Sequence, residues 1–208
     1  FMDGVEPKDI SKAVKVYLGI KKTIKEYNLS AVTLRCFDII KMLNDTGCLA
    51  LAKLNDEGIA AGCEGDVPAL FTLMLNQLIT GKPAFMANPS RIDGDRIHMS
   101  HCTVPMSIVR TFAFKTHFES DKGVAVAGKF DKGPITFSKI GGPALDEFYV
   151  DEGVLMANVQ DSCSCRTHIV IQLNNGPGYF FRRPIGNHHI VAQGHHGKRI
   201  REIMNFEL

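Results

Sequence analysis

The sequence predicts an α/β segment followed by an all-β part, that is, a parallel sheet under helices leading into a closed antiparallel barrel. Three observations predict it. In the first half the apolar positions switch back and forth between helical and strand spacing. In the second half short strand-like runs follow one another, separated by Asp-Lys-Gly, Gly-Gly-Pro and Asn-Asn-Gly-Pro-Gly turn signals. The change of character falls near residue 96. Strand–helix alternation leads to parallel sheets, and regular short strands lead to barrels that remove sheet edges. The expected division is 1–95 and 96–208.

From Asp9 to Tyr27 the apolar residues Ile10, Val14, Tyr17, Ile20, Ile24 and Tyr27 recur at helical steps, with lysines on the opposite face. Leu29 to Cys36 reads as a short buried strand and Cys48 to Asn55 as a helix that stops at Gly58. Ile59 to Cys63 is small and apolar, suited to a strand packed tightly under helices. Asp66 is placed to cap the next helix and Pro68 sits in its first turn, where a missing N–H costs nothing. Gly81 and Pro83 end that helix, and Lys82 to Ala87 reads as another strand of the parallel sheet. In the second half Phe112, Phe114, Thr116 and Phe118 alternate with Ala113, Lys115 and His117, the period of a half-buried strand. Further strands are expected at 123–130, 134–140, 147–159, 166–173 and 179–183, with a closing helix from Lys198 to Asn205. No internal repeat is present.

Composition bounds the function. Of 208 residues, 45% are apolar and 22% charged, an ordinary globular balance that excludes disordered and collagen-like classes. Lys and Arg number 24 against 22 Asp and Glu, so no strong positive field favours nucleic acid. No apolar run reaches the roughly 18 residues of a membrane span. The chain opens at Phe1 without a charged-then-apolar leader and reads as processed or as the trailing part of a longer chain. Six cysteines are too few for a secreted disulfide framework, which points to the cytoplasm. Cys36, Cys48, Cys63 and Cys102 read as small hydrophobes. Cys163-Ser-Cys165 with His168 has the look of half a zinc site without its other half.

The chemistry-bearing candidates are few. Glu64, between a small apolar strand and a helix start, suits a metal ligand or general base, or else a helix cap. Ligands in parallel sheets gather outside the carboxyl ends of strands, and Glu64 and Asn88 both fall just past such predicted ends. Gly186-Asn-His-His-Ile-Val-Ala-Gln-Gly-His-His-Gly197 gathers imidazoles, yet adjacent histidines in a strand face opposite ways, so at most one of each pair reaches a shared site. His117 and His168 read as structural. Neither the spaced glycines of a dinucleotide fold nor the Lys-Ser/Thr of a P-loop is present, and no Ser elbow or catalytic Cys setting is found.

The run from Cys48 through Gly62-Cys-Glu-Gly-Asp66, the long apolar helix after it, and Gly186-Asn-His188-His189 followed by His195 resemble the L-fucose isomerase/L-arabinose isomerase superfamily, most of all its fucose isomerase-like members. Cys165-Arg-Thr167 and His101-Cys102 are similar to those members as well. The resemblance implies part of a three-layer α/β/α parallel-sheet domain followed by an antiparallel Greek-key-like β-barrel. It implies aldose–ketose isomerisation through an enediol with a divalent ion, usually Mn2+. Glu64 then matches a metal-binding carboxylate that also moves protons, His188 the C-terminal histidine ligand and His101 a histidine ligand of the arabinose branch. Asn88 stands where the family has its second acidic ligand; an amide oxygen can bind a hard cation but adds no charge and cannot act as a base. Asp66, Asp93 and Asp95 are the acids available to compensate. The resemblance also implies a sugar substrate, a preceding N-terminal domain and a homo-oligomer, with no nucleic acid or membrane partner. Asn88 motivates the alternative, a non-catalytic relative that binds a carbohydrate or a partner. A barrel that binds RNA fits the strand-rich half but lacks a basic, aromatic surface.

Overall fold

The computed structural model describes residues 2–161 and 163–206. A short strand β1 (Met2–Asp3) leads into α1 (Pro7–Tyr27), followed by β2 (Ala31–Thr33), α2 (Cys36–Leu43), α3 (Cys48–Asp56), β3 (Ala60–Gly62) and α4 (Val67–Thr80). The Asp9 carboxylate accepts the Glu6 N–H at 3.0 Å at the start of α1, and Asn28 ends it at φ +50°, a conformation Asn tolerates. The stripe of α1 is narrower than its spacing suggests. Ala13 is fully buried and Tyr17, Ile20 and Ile24 cover the neighbouring core, whereas Val14 and Tyr27 stay exposed. The start and stop of α4 follow the sequence: Asp66 Oδ1 accepts the Ala69 N–H at 2.9 Å, and Gly81 closes the helix at φ +66°.

Strands β4 (Phe85–Asp93), β5 (Arg96–His101), β8 (Gly133–Gly141), β9 (Glu147–Asn158), β10 (Thr167–Leu173) and β11 (His189–Gln193) close into a six-stranded barrel in the order β10-β5-β4-β11-β8-β9, every pair antiparallel. Between β5 and β8 lie β6 (Thr111–Lys115) and β7 (Ala125–Lys129), which form a small sheet with β1; between β10 and β11 lies α5 (Gly178–Arg182), and α6 (Gly197–Met204) ends the fold. Phe85, Ile97, Met99, Phe137, Leu155, Ile169 and Ile171 fill the barrel. A second core, with Leu51, Leu54, Leu73, Met86 and Ile190, joins the helices to its outer wall.

A closed antiparallel barrel is present, though it recruits β4 from the first half and leaves β6 and β7 in a separate small sheet, and a layered parallel sheet is not clearly formed. Parallel pairing of strands is confined, among the described residues, to a two-stranded β2–β3 ladder, Ala31 opposite Ala60 through Thr33 opposite Gly62, and to the short β1–β6 contact of the small sheet. Residues 82–87, expected in that sheet, instead enter the barrel as the start of β4. Asn88 therefore lies inside a strand and not past the end of one. Pro89 is accommodated by the register shift between Pro89 and Arg91, the kind of bulge where a strand tolerates proline. The expected strand 29–36 is cut short at Thr33, and Cys36 begins a helix. The expected strand at 179–183 is the short helix α5, with Tyr179 and Phe180 against the barrel core and Phe181 exposed. An apolar run this short does not distinguish strand from helix by its period. Among the described residues no helix is long and apolar enough to cross a membrane.

Candidate metal centre at the end of the barrel

The turn from β3 into α4 is Cys63-Glu64-Gly65-Asp66. Glu64 adopts φ +59°, a left-handed conformation that costs an L side chain on the order of 1 kcal/mol or more. Two backbone bonds hold the turn in place: Leu34 N–H to Gly62 O at 3.2 Å and Gly65 N–H to Leu34 O at 2.9 Å. The Glu64 side chain is about one-third exposed, and its Oε2 lies 3.6 Å from His188 Nε2. Residues 64 and 188, far apart in sequence, thus share one site.

His188 sits just before β11. Its Nδ1 is 3.0 Å from Asp66 Oδ2, and an ionised Asp66 makes Nδ1–H the donor. The same Asp66 caps α4 and faces the buried ammonium of Lys139 at 3.4 Å. Burial opposes the Asp66 charge, but the bond from His188, the Ala69 N–H and Lys139 outweigh it and hold the carboxyl at about 2. Burial likewise opposes charge on His188, yet Asp66 and Glu64 raise its pKa above the ordinary histidine value. Glu64 is lowered, chiefly by His188. His188 Nε2 is buried without a hydrogen-bond partner, and so is Asn88 Oδ1.

His101 ends β5, and its ring centroid is 5.3 Å from that of His188. Thr103 Oγ1 engages its Nδ1 at 2.8 Å, and burial pushes the imidazole down to about 3, so it is neutral at pH 7. Ligand atoms of Cys63, Glu64 and His101 lie within 4.8 Å of one another, a group able to hold a metal ion. Glu64, Asn88, His101, Cys36 and Cys63 line a common cavity of about 50 Å3. Every residue singled out as a ligand from the sequence therefore lies at this end of the barrel.

The remaining candidates do not join them. Asp93 and Asp95 are exposed on the β4–β5 hairpin. His195 pairs with Glu152 at 3.0 Å, and His196 Nε2 bonds Gln193 O at 2.9 Å. His189 turns away from His188 into an aromatic cluster, stacked on Phe137 at 4.9 Å. The Cys163-Ser-Cys165 half-site does not assemble around His168, whose ring nitrogens bond His98 Nδ1 and Ser164 Oγ, each at 2.9 Å. Sequence reasoning passed over several members of the site. Cys63 and Cys36 read as small hydrophobes, and nothing local marks them otherwise. Asp66 read mainly as a cap, and Lys139 carried no signal, because their roles depend on contacts more than seventy positions apart in sequence.

Fold and site together define a barrel whose end presents carboxylate, imidazole, amide and thiol donors to a small cavity. No family model matches the chain. Over 113 residues, 52% of the chain, it is 28% identical to sulfoquinovose isomerase of Clostridium sp. (strain MSTE9). The matched stretch spans 25% of that protein's length.

Proposed function

We propose that this chain is part of a metal-dependent aldose–ketose sugar isomerase. One observation carries the reading: His188 Nε2 and Asn88 Oδ1 are buried without partners beside the Glu64 carboxylate and the neutral His101. Leaving a buried polar atom unpaired costs about 1–3 kcal/mol, so one on the cavity that Glu64 and His101 line and another on the histidine next to Glu64 argue for a ligand that satisfies them. Glu64, Asn88, His101 and His188 supply the oxygen and imidazole donors that suit a divalent cation of the Mn2+ class. Similarity to a sugar isomerase supports the substrate class.

A divalent ion bound there would stabilise the negative charge that develops on the sugar oxygens. The chain's own groups do the rest. Glu64, held ionised by His188, is the base that removes a proton from one sugar carbon and returns it to the neighbouring one. Asp66 fixes the ring of His188 through Nδ1, the arrangement in which a carboxylate orients a histidine ligand, and a bound ion would take the place of the Nε2 proton that Glu64 otherwise draws. Thr103 fixes the ring of His101 through Nδ1 in the same way. A preceding N-terminal domain and further copies of the chain complete the pocket in this proposal.

Thermal unfolding with and without Mn2+ tests it. A rise in Tm is expected, and Glu64→Gln and His188→Ala should each abolish the rise. Asn88 favours a second reading, a carbohydrate- or partner-binding relative without catalysis, because it brings no charge where a second carboxylate would aid both binding and proton transfer. That reading gains if no divalent ion stabilises the fold.

A further inference from the structure

We propose that Cys36 and Cys63 form a redox dithiol that a small peroxide closes to an intramolecular disulfide beside the Glu64 turn. The two Sγ atoms lie 2.8 Å apart, and Cys36 Sγ also donates to Leu34 O at 3.6 Å, so Cys63 is the thiol that donates to Cys36. A disulfide has S–S near 2.05 Å, and the closure of about 0.8 Å that remains is within reach of small side-chain rotations. The backbone just before Cys36 is already bound on both sides of Cys63. Thr33 is opposite Gly62 in the β2–β3 ladder, and Leu34 bonds both Gly62 and Gly65.

Access favours the same pair. Both cysteines are buried, at 7% and 4% exposure, but both line the cavity of about 50 Å3 that borders the part-exposed Glu64. A cavity of about 50 Å3 exceeds the roughly 10–15 Å3 that one water needs and so has room for hydrogen peroxide. One thiolate attacks the peroxide O–O bond, giving a sulfenic acid and, after protonation, water. The second sulfur displaces the sulfenic oxygen as another water, and the S–S bond forms. Two electrons pass from the sulfurs to the peroxide, and two thiols with one hydrogen peroxide become one disulfide and two waters. The product staples the start of α2 to the turn that carries Glu64. None of this depends on the isomerase reading.

Peptide mapping tests it on the reduced wild-type chain. The protein is treated with hydrogen peroxide, its remaining thiols are alkylated after unfolding in denaturant, and it is digested with trypsin without reduction. Cleavage after Arg35 and Lys41 releases Cys36 in the peptide 36–41, and Cys63 falls in 54–91 because Lys82 precedes a proline. The expected product is these two peptides joined, lighter by two hydrogens than their sum and separated by dithiothreitol. Cys36→Ser should abolish the joined species. Three results in the wild type overturn the proposal: both peptides alkylated after peroxide, both sulfurs carried to sulfinic acid without a link, or Cys63 joined to Cys48, Cys102 or Cys165 instead. Because each is read on the wild-type chain, a poorly folding variant does not obscure the outcome.

Discussion

Asp66 shows how much one side chain can carry at this site. Its two oxygens cap α4, orient His188 and neutralise Lys139, whose side chain is only 2% exposed. Asn keeps the capping ability but loses the charge, so Asp66→Asn isolates the electrostatic part. Its carboxyl is held at about 2 against an ordinary value of 3.8. A depressed carboxylate stabilises the fold at pH above its unfolded pKa, and that stabilisation disappears as pH falls through the folded one. The shift corresponds to about 2 kcal/mol, or about 4–8 °C in Tm for a domain of this size. Asp66→Asn should therefore melt below the wild type by that amount at pH 7. The gap should shrink below pH 4 and close near pH 2. Melting curves across that range check it, and a gap that stays constant down to pH 2 would show that the loss is not electrostatic.

At the scale of elements, legibility followed the strength of the local code. The start and stop of α4 were readable because Asp66, Pro68 and Gly81 each act within a few residues of themselves. The strands β8, β9 and β10 were readable from alternation bounded by turn residues. What the sequence could not show was which strands pair. The run 82–87 has a parallel-sheet look, but its partners, Val191 opposite Phe85 and His189 opposite Ala87, come from the far side of residue 96. Close approaches between strands are equally invisible locally. Gly153 in β9 faces Leu173, and a Cβ there would strike the Gln172 carbonyl oxygen, which belongs to the paired backbone and has no room to move aside. Gly153→Ala should cost about 1–3 kcal/mol, as overpacking does. Denaturant titration checks this, with the midpoint expected to fall and the slope to stay unchanged. Gly58→Ala, with φ +78° but open space around it, separates conformational strain from steric clash.

For the whole molecule, the candidate site was legible as a set of residue types and not as an assembly. Glu64 stands out because a carboxylate is unusual between a small apolar strand and a helix start, and His101 and His188 were singled out by the family resemblance; the thiols and Lys139 were not, since nothing around them in sequence marks them. The parallel layer was over-read for a related reason. Beyond β2 the structure shows a groove of about 810 Å3 lined by Val16, Ile20, Leu29, Val32 and Ile39, so apolar spacing that reads as a buried layer borders an open face.

Burying imidazoles also sets how the fold as a whole responds to acid. His101 and His189 are both pushed down to about 3, burial being the first cause in each. For His189 the bond that Nε2 accepts from the Tyr179 O–H at 3.0 Å requires the neutral ring, and Tyr179 in turn accepts the Ile185 N–H, whereas the Nδ1–H bond to Asn187 O at 2.8 Å works the other way and only partly offsets burial. The unfolded chain takes up these protons near pH 6.5 and the folded chain does not, so stability falls as pH drops below 6.5 and keeps falling toward 3. At pH 5 each ring costs the fold about 2 kcal/mol. His188 acts in the opposite sense, because its raised pKa adds stability below 6.5 that is lost as pH rises through the folded value, and it offsets part of the loss. Urea midpoints should therefore drop between pH 7.5 and pH 5. His189→Gln, which retains a donor and an acceptor but does not titrate, should remove close to half of the combined His101 and His189 contribution. An identical pH dependence in the two proteins would mean that His189 is protonated in the fold and that its aromatic cage does not hold it neutral.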